Sequence, residues 1–199
     1  MPLRNRVTPQ GDLVAVSARG TMLGNRGVLH DEDRQIVRTF QHRRWLLCEL
    51  AFQGRCREIM KPRRYTELFF LDEAVGLAAG HRPCARCRPE AYEAFRRCFA
   101  TGGRRNPSAE DLDRVLHAER LRPAPPAGPV AGLPDGGYVL LDDACWLVLG
   151  DRLLRWDAGG YRERRPRPGG QAAVLTPAST LAALRAGYRP RLHPSAAAS

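Results

Sequence analysis

The apolar positions of this chain fall mainly into short runs separated by glycine, proline and charged residues. Runs of strand length, rich in aromatic and branched residues, lie at 12–16, 45–52, 65–71, 138–141, 145–149, 153–156 and 172–175. Apolar positions with helical spacing lie at 73–79, 89–99, 109–121 and 176–184. Asp72 and Gly80 are residue types that cap the two ends of the first of these helices. This irregular mixture of strands and helices predicts the α+β class.

Turn signals predict the connections in the first third of the chain. Three glycines predict a surface turn over 20–27, where Asn25 and Arg26 can contact phosphate. The Gln-Gly pair after the run at 45–52 predicts a hairpin whose second strand returns over 55–60. The sequence therefore predicts a loop followed by a two-stranded unit in this region.

A proline- and glycine-rich stretch at 123–137 is the strongest boundary signal in the chain. Such a composition is typical of linkers, because it favours neither a helix nor a central strand. We therefore expect an α+β domain at 1–122. After the linker we expect a small, basic, β-rich module with a C-terminal helix at 138–199.

The charge of the chain limits the classes of partner. Its formal net charge is +11 and its calculated pI is about 10.2. Basic residues exceed acidic ones mainly in the first 64 and the last 49 residues. Such an excess favours a nucleic-acid partner. The sequence has no apolar run of membrane-spanning length and no apolar leader, so we expect a cytoplasmic protein without membrane contact.

Cysteines provide the clearest candidate chemistry. Cys84 and Cys87 are separated by two residues, a spacing that lets both sulfurs turn toward one Zn²⁺ ion. In a reducing cytoplasm, cysteines serve more often as metal ligands or free thiols than as disulfides. Cys48 and Cys56 are the upstream residues that can complete a four-thiolate site. Cys48 also fits a buried core thiol, and His81 is a reserve nitrogen ligand.

Residues 69–89 read Phe-Phe-Leu-Asp-Glu-Ala-Val-Gly-Leu-Ala-Ala-Gly-His-Arg-Pro-Cys-Ala-Arg-Cys-Arg-Pro. This segment resembles the zinc-binding domain of Ada-type bacterial alkylation-repair proteins. There, a strand ending in two aromatic residues, a short helix and an Arg-Pro-Cys-x-x-Cys-Arg-Pro segment follow in the same order. Seven residues separate Cys48 from Cys56 here, whereas the family has three between its upstream cysteines.

The resemblance implies a small zinc-stabilised, Ada-like domain at the start of the chain. In that family a Cys₄ site holds Zn²⁺, a zinc-bound thiolate accepts a methyl group from a DNA phosphotriester, and nearby arginines contact DNA. Transferred to this sequence, the ligands are Cys48, Cys56, Cys84 and Cys87. We expect a zinc-binding, DNA-associated protein with a role in DNA repair. The expected DNA-contacting residues are Arg43, Arg44, Arg63, Arg64, Arg82, Arg86 and Arg88, extended by the arginines at 162–167.

Two other functions fit parts of the sequence. A metal-dependent nuclease or hydrolase would use His117 as general base, with Glu119 and Arg120 nearby on the same predicted helix. A redox protein would use Cys84 and Cys87 as a dithiol pair. An ordinary charged helix surface competes with the first, and the absence of a thioredoxin-like βαβ pattern argues against the second.

Overall fold

A computed structural model describes residues 1–54, 58–99 and 107–197. The described residues form two six-stranded sheets and four α-helices, which confirms the α+β class. Cys56 lies outside the described residues. Within the described ranges, no helix has the length and apolar character needed to cross a membrane.

The first sheet contains both segments that carry the predicted zinc ligands. Its strands are β1 (Arg4–Val7), β2 (Leu13–Ala15), β3 (Met22–Asn25), β4 (Leu46–Cys48), β5 (Leu68–Phe70) and β6 (Arg82–Pro83). Their order across the sheet is β2-β1-β5-β3-β4-β6. The pairs β1–β5 and β4–β6 are parallel, and the other neighbours are antiparallel.

Three helices belong to this part of the chain, one between β5 and β6 and the other two after β6, and local signals set two of their starts. They are α1 (Glu73–Ala78), α2 (Pro89–Cys98) and α3 (Ala109–Arg120). The side chain of Asp72 accepts a hydrogen bond from the backbone N–H of Val75 at 3.0 Å, as expected of an N-cap. Gly80 has φ +81°, which confirms the left-handed end of α1. Ser108 and Asp111 form a reciprocal capping box at the start of α3.

The second sheet is antiparallel throughout. Its strands are β7 (Ala127–Pro129), β8 (Tyr138–Leu141), β9 (Ala144–Leu149), β10 (Arg152–Asp157), β11 (Gly160–Pro166) and β12 (Gln171–Val174), in the order β11-β10-β9-β8-β12-β7. Helix α4 (Ala178–Arg185) follows, and 3₁₀ turns lie at Val130–Gly132 and Pro194–Ala196. Four predicted runs thus became β8, β9, β10 and β12, whereas β11 was missed.

The predicted surface turn at 20–27 is wrong, because Met22–Asn25 is a strand inside the first sheet. A Cβ atom on Gly24 would lie 2.2 Å from the carbonyl oxygen of Leu46 in the neighbouring strand. This glycine therefore permits a close backbone approach rather than a turn. Arg26 is only 2% exposed, which contradicts its predicted contact with phosphate at the surface.

The predicted hairpin over 45–60 is also wrong in its pairing. Strand β4 pairs with β3 on one side and β6 on the other. Its neighbours are therefore distant in sequence, and residues 58–60 are not in a strand. Part of the predicted linker is likewise ordered, because β7 adds to the edge of the second sheet beside β12. The division into domains at 122 and 138 stays a prediction.

Buried polar groups connect the two sheets at the start of α1. The Asp72 carboxylate accepts hydrogen bonds from the Tyr161 hydroxyl at 2.7 Å and from the backbone N–H of His193 at 3.0 Å. The Tyr138 and Tyr161 hydroxyls also lie 2.7 Å apart. One cluster of buried apolar residues runs through both sheets around this network. The carboxylate that caps α1 thus also binds the second half of the chain.

Candidate metal centre

The cysteine segments meet through the pairing of β4 with β6. Leu47 lies opposite Pro83 in this parallel ladder, and the backbone N–H of Cys84 donates to the carbonyl of Leu47 at 2.9 Å. Cys48 ends β4, while Cys84 and Cys87 lie in the turn between β6 and α2. Two stretches that are distant in sequence are thereby brought side by side, as the zinc prediction requires.

Three thiols converge at this point. The Sγ atoms of Cys48, Cys84 and Cys87 all lie within 4.8 Å of one another. In a tetrahedral zinc site with Zn–S bonds of about 2.3 Å, the sulfurs are about 3.8 Å apart. The sulfur–sulfur distances of the described cluster therefore need to shorten by about 1 Å or less for the three thiolates to bind one ion. This arrangement is able to hold a metal and leaves one tetrahedral position for a fourth ligand.

Hydrogen bonding and burial shift the pKa values of the three thiols in different directions. The pKa of Cys84 is lowered to about 5, first by a hydrogen bond with the Cys48 thiol and then by bonds from the backbone N–H groups of Cys87 and Arg86. The pKa of Cys48 is raised, because its thiol is hydrogen-bonded to Cys84 and is buried. Burial also raises the pKa of Cys87. A metal that binds all three sulfurs must displace protons, so its affinity increases with pH.

Arg88, directly after Cys87, binds the two cysteine segments together. Its guanidinium makes two hydrogen bonds to the Glu73 carboxylate, at 2.9 and 2.7 Å, and an ion pair with Glu49 at 3.2 Å. Glu49 directly follows Cys48. This clamp holds residues next to two of the thiols at a fixed separation. Sequence reasoning missed Glu49 and Glu73, since no local spacing relates either residue to Arg88.

Two of the predicted DNA-contacting arginines are instead internal. Arg88 is 8% exposed, and its charge is neutralised by the clamp. Arg82 is 3% exposed and makes two hydrogen bonds of 2.8 Å to the Asp113 carboxylate on α3. Such paired, buried guanidinium groups are unavailable to a phosphate at the surface. The predicted phosphate contacts of Arg82 and Arg88 are therefore corrected to structural ion pairs.

The other five predicted contact residues are exposed. They are Arg43, Arg44, Arg63, Arg64 and Arg86. Arg63 forms an exposed ion pair with Glu32 at 3.0 Å, which leaves its guanidinium largely open to solvent. In the second sheet, Arg164 and Arg167 donate to backbone carbonyls, so these members of the 162–167 group have structural roles. The surface that remains for phosphate contacts is smaller than the sequence predicts.

One further candidate ligand, His81, lies outside the thiol cluster. His81 is fully buried between the rings of Phe70 and Trp45, and its Nε2 atom accepts from Arg26. It therefore belongs to the core rather than to the described metal centre. Cys145 is buried in β9, as expected of a core thiol. Cys56 stays a prediction as the fourth ligand.

The residues of the alternative hydrolase site are engaged elsewhere. His117 accepts a hydrogen bond from Arg120 at 3.3 Å, and its ring packs edge-on against Phe40. The Glu119 carboxylate points away toward α4, where the Ser179 hydroxyl donates to it at 2.6 Å. The three side chains do not converge on a common point, so their geometry gives the hydrolase alternative no support.

A pocket of about 400 Å³ opens beside the three thiols. Arg86 lies at its edge with the cysteines. Its other walls are mainly aromatic and apolar and include Leu23, Leu50, Phe52, Ile59, Tyr65 and Phe69. The guanidinium of Arg6 packs 4.6 Å above the Phe69 ring. A group that enters this pocket reaches the sulfurs along an apolar wall.

Comparisons of the chain with protein-family models, curated proteins and solved structures find no match. The chemical assignment of the site therefore depends on its donor atoms and geometry. Three sulfur donors come from the end of β4 and from the turn after β6. Supported by backbone N–H groups and a buried ion-pair clamp, they form a centre that can bind a thiophilic metal ion.

Proposed function

We propose that this chain is a zinc-binding, DNA-associated protein. Cys48, Cys84 and Cys87 hold Zn²⁺, and Cys56 provides the fourth sulfur. The convergence of three thiols within 4.8 Å is the observation that carries the proposal. Thiolates are soft donors that favour zinc over calcium or magnesium, and zinc accepts the tetrahedral geometry that two cysteine segments provide.

Zinc would fix the turn between β6 and α2, and with it Arg86 at the protein surface. The charge of +11 and the exposed arginines near the start and middle of the chain support a polyanionic partner. Neutralising phosphates with such side chains releases counterions, which makes DNA binding favourable at low salt. DNA is the partner we infer. The role in DNA repair rests on the resemblance of residues 69–89 to the Ada-type segment.

A dithiol redox function is the main competitor for the same cysteines. The third thiol, Cys48, favours metal binding, because a redox pair needs only Cys84 and Cys87. The two functions also respond differently to reductant and chelator. A redox pair forms a reversible disulfide without metal, whereas a zinc site protects its thiols from oxidation and loses stability when the ion is removed.

Native mass spectrometry of reduced protein tests the metal part of the proposal. We expect one zinc per chain and a loss of that zinc in Cys48→Ser and Cys84→Ser. Cys145→Ser is the matched control, because Cys145 lies outside the thiol cluster. Retention of zinc in Cys48→Ser and Cys84→Ser, or its loss in the control alone, would assign the metal to another site.

Fluorescence anisotropy with a labelled DNA duplex tests the nucleic-acid part separately. If five arginines contact phosphates, affinity should fall roughly 500-fold between 50 and 200 mM salt. Removing zinc with a chelator should weaken binding further, because Arg86 lies between two of the ligands. Absent binding, or binding that ignores salt, would contradict DNA association and leave the zinc result intact.

A further inference from the structure

A second cavity, of about 540 Å³, lies between the two sheets. We call it the arginine cleft, because Arg26 and Arg120 both border it and both pack against the Trp45 ring. Its volume falls in the range of small-molecule sites, which are often found between two halves of a protein. Its lining is distinct from the residues around the thiol pocket.

Arg26 is an unusual residue to find in this position. It is 2% exposed, and its Nε and Nη1 atoms donate to the His81 ring at 3.4 Å and the Gly11 carbonyl at 2.9 Å. Its buried Nη2 atom has no hydrogen-bond partner in the part of the chain that the structure describes. A buried donor without an acceptor costs stability unless something else supplies one.

Arg120 packs against the same indole ring, and it too forms no ion pair with a carboxylate of the described residues. Its guanidinium donates to the carbonyls of Gly80 at 2.7 Å and Arg43 at 2.5 Å. The guanidinium carbons of Arg26 and Arg120 lie 4.1 and 3.9 Å from the centre of the Trp45 ring. The ring holds both cations, but it does not neutralise them.

The two charges therefore lie close together without a directly paired carboxylate among the described residues. Neither arginine forms an ion pair with any carboxylate of the described residues. Burial lowers the pKa of each guanidinium to about 9, and at Arg120 repulsion from Arg26 lowers it further while Asp113 opposes this shift. Asp12 attracts Arg26 from the cleft wall without pairing with it, and Glu119 is held by Ser179. A buried cation without a partner is unfavourable, so the cleft has a deficit of negative charge.

We propose that the arginine cleft binds a small organic anion, a phosphomonoester or carboxylate carried on an apolar body. The charged group lies beside Arg26 and Arg120 and supplies the acceptor that Arg26 lacks. The body lies against the apolar part of the wall, which includes Leu13, Ile36, Phe40 and Leu140. This site is separate from the thiol cluster and does not depend on the proposed zinc or DNA function.

Thermal unfolding of the full chain with phenyl phosphate, benzoate or inorganic phosphate tests the proposal at constant ionic strength. At ligand concentrations about 100-fold above Kd, we expect Tm to rise by roughly 5 °C or more with at least one organic anion. The responding ligand identifies the charged group as phosphate or carboxylate. Inorganic phosphate should produce a smaller shift, because it lacks the apolar body.

Arg26→Met should abolish this shift, because methionine fills similar space without charge. Arg152→Met is the control, since it removes one exposed positive charge from the second sheet. It should keep the full shift. Arg120→Gln and direct titration calorimetry of the wild type provide a second route if Arg26→Met does not fold. No calorimetric binding of either organic anion, or equal shifts in wild type and Arg26→Met, would overturn the proposal.

Discussion

Two regions next to the first sheet enclose arginine side chains, and the positive charge is compensated differently in each. Around the thiol cluster, Arg82 and Arg88 each make two hydrogen bonds to a buried carboxylate. At the cleft, Arg26 and Arg120 face backbone carbonyls and aromatic rings. Arg26, Arg82 and Arg88 are buried and Arg120 is half-buried, so composition alone does not separate the two pairs.

The two environments have different consequences for stability and for binding. A cation that is neutralised within the chain stabilises one arrangement, and here it fixes the separation of the cysteine segments. A cation that has no carboxylate partner within the chain favours the binding of an anion from outside it. Removing the carboxylate partners of Arg82 and Arg88 should therefore mainly lower the stability of the fold. Replacing Arg26 or Arg120 should mainly weaken ligand binding.

Removing the carboxylate from the thiol region should have the largest effect. Glu73→Ala leaves Arg88 buried with only Glu49 as a partner, so we expect a loss of about 3–5 kcal/mol in the free energy of unfolding. Chemical denaturation measures this loss. The double variant Glu73→Ala/Arg88→Met should recover the part of this loss that the unpaired charge causes, whereas the Tyr188 hydroxyl and the Arg191 N–H, which also donate to Glu73, still lack this acceptor. Glu90→Ala, an exposed change on α2, is the control and should have little effect.

A small loss in Glu73→Ala, or a double variant that is worse than the sum of the two single ones, would contradict the clamp. Arg88 would then remain buried without its carboxylate partner at little cost in stability, as Arg26 does, and the two regions would not differ in this respect. Zinc content of the same variants adds a second measurement. A weakened clamp should lower zinc affinity, since Glu49 and Arg88 directly follow Cys48 and Cys87.

Titration of His81 should report on the positive charge at the arginine cleft. Burial, with repulsion from Arg26 and Arg120, holds the pKa of His81 well below its ordinary 6.5. Below pH 6.5 the unfolded chain therefore takes up a proton that the folded chain refuses. Stability contributed by neutral His81 is present above pH 6.5 and declines by about 1.4 kcal/mol per pH unit below it.

Denaturation curves between pH 7.5 and 5.5 measure this slope in wild type and in His81→Gln. Glutamine does not titrate and still offers an acceptor to Arg26, so the variant should show a shallower decline by about one proton. Other histidines contribute equally to both proteins and cancel in the difference. Identical slopes would show that His81 is protonated inside the fold and that the cleft is less positive than described.

Exposed arginines should show the smallest effect on stability. Replacing Arg44, Arg64 or Arg86 with alanine should change the free energy of unfolding by no more than about 0.5 kcal/mol. Each change should also reduce the salt dependence of DNA binding by about one unit of slope, if that side chain contacts a phosphate. Arg152→Ala on the second sheet is the matched control. A loss of stability well above about 0.5 kcal/mol, with an unchanged salt slope, would show that these arginines have structural roles.

Local signals predicted much of the fold. Asp72 and Gly80 mark the ends of α1 because capping depends on residues adjacent in sequence. Cys84 and Cys87 were found for the same reason, since their spacing is itself the signal. Strand β11 was missed because it lies at a sheet edge and carries charged residues that resemble a loop.

Long-range partners could not be read from the sequence. Gly24 looks like a turn residue until the Leu46 carbonyl is placed beside it. Arg82 and Arg88 look like phosphate ligands until Asp113 and Glu73 are brought to them by the packing of the helices. Each of these partners is set by tertiary contacts, and a single sequence holds no spacing rule for such contacts.

The zinc content of reduced, freshly purified protein decides whether the three converging thiols bind a metal. If Cys48, Cys84 and Cys87 form a metal centre, native mass spectrometry should find one zinc per chain, lost in Cys48→Ser and kept in Cys145→Ser. A wild-type protein that folds fully, keeps its thiols reduced and carries no stoichiometric metal when zinc is supplied would contradict the claim.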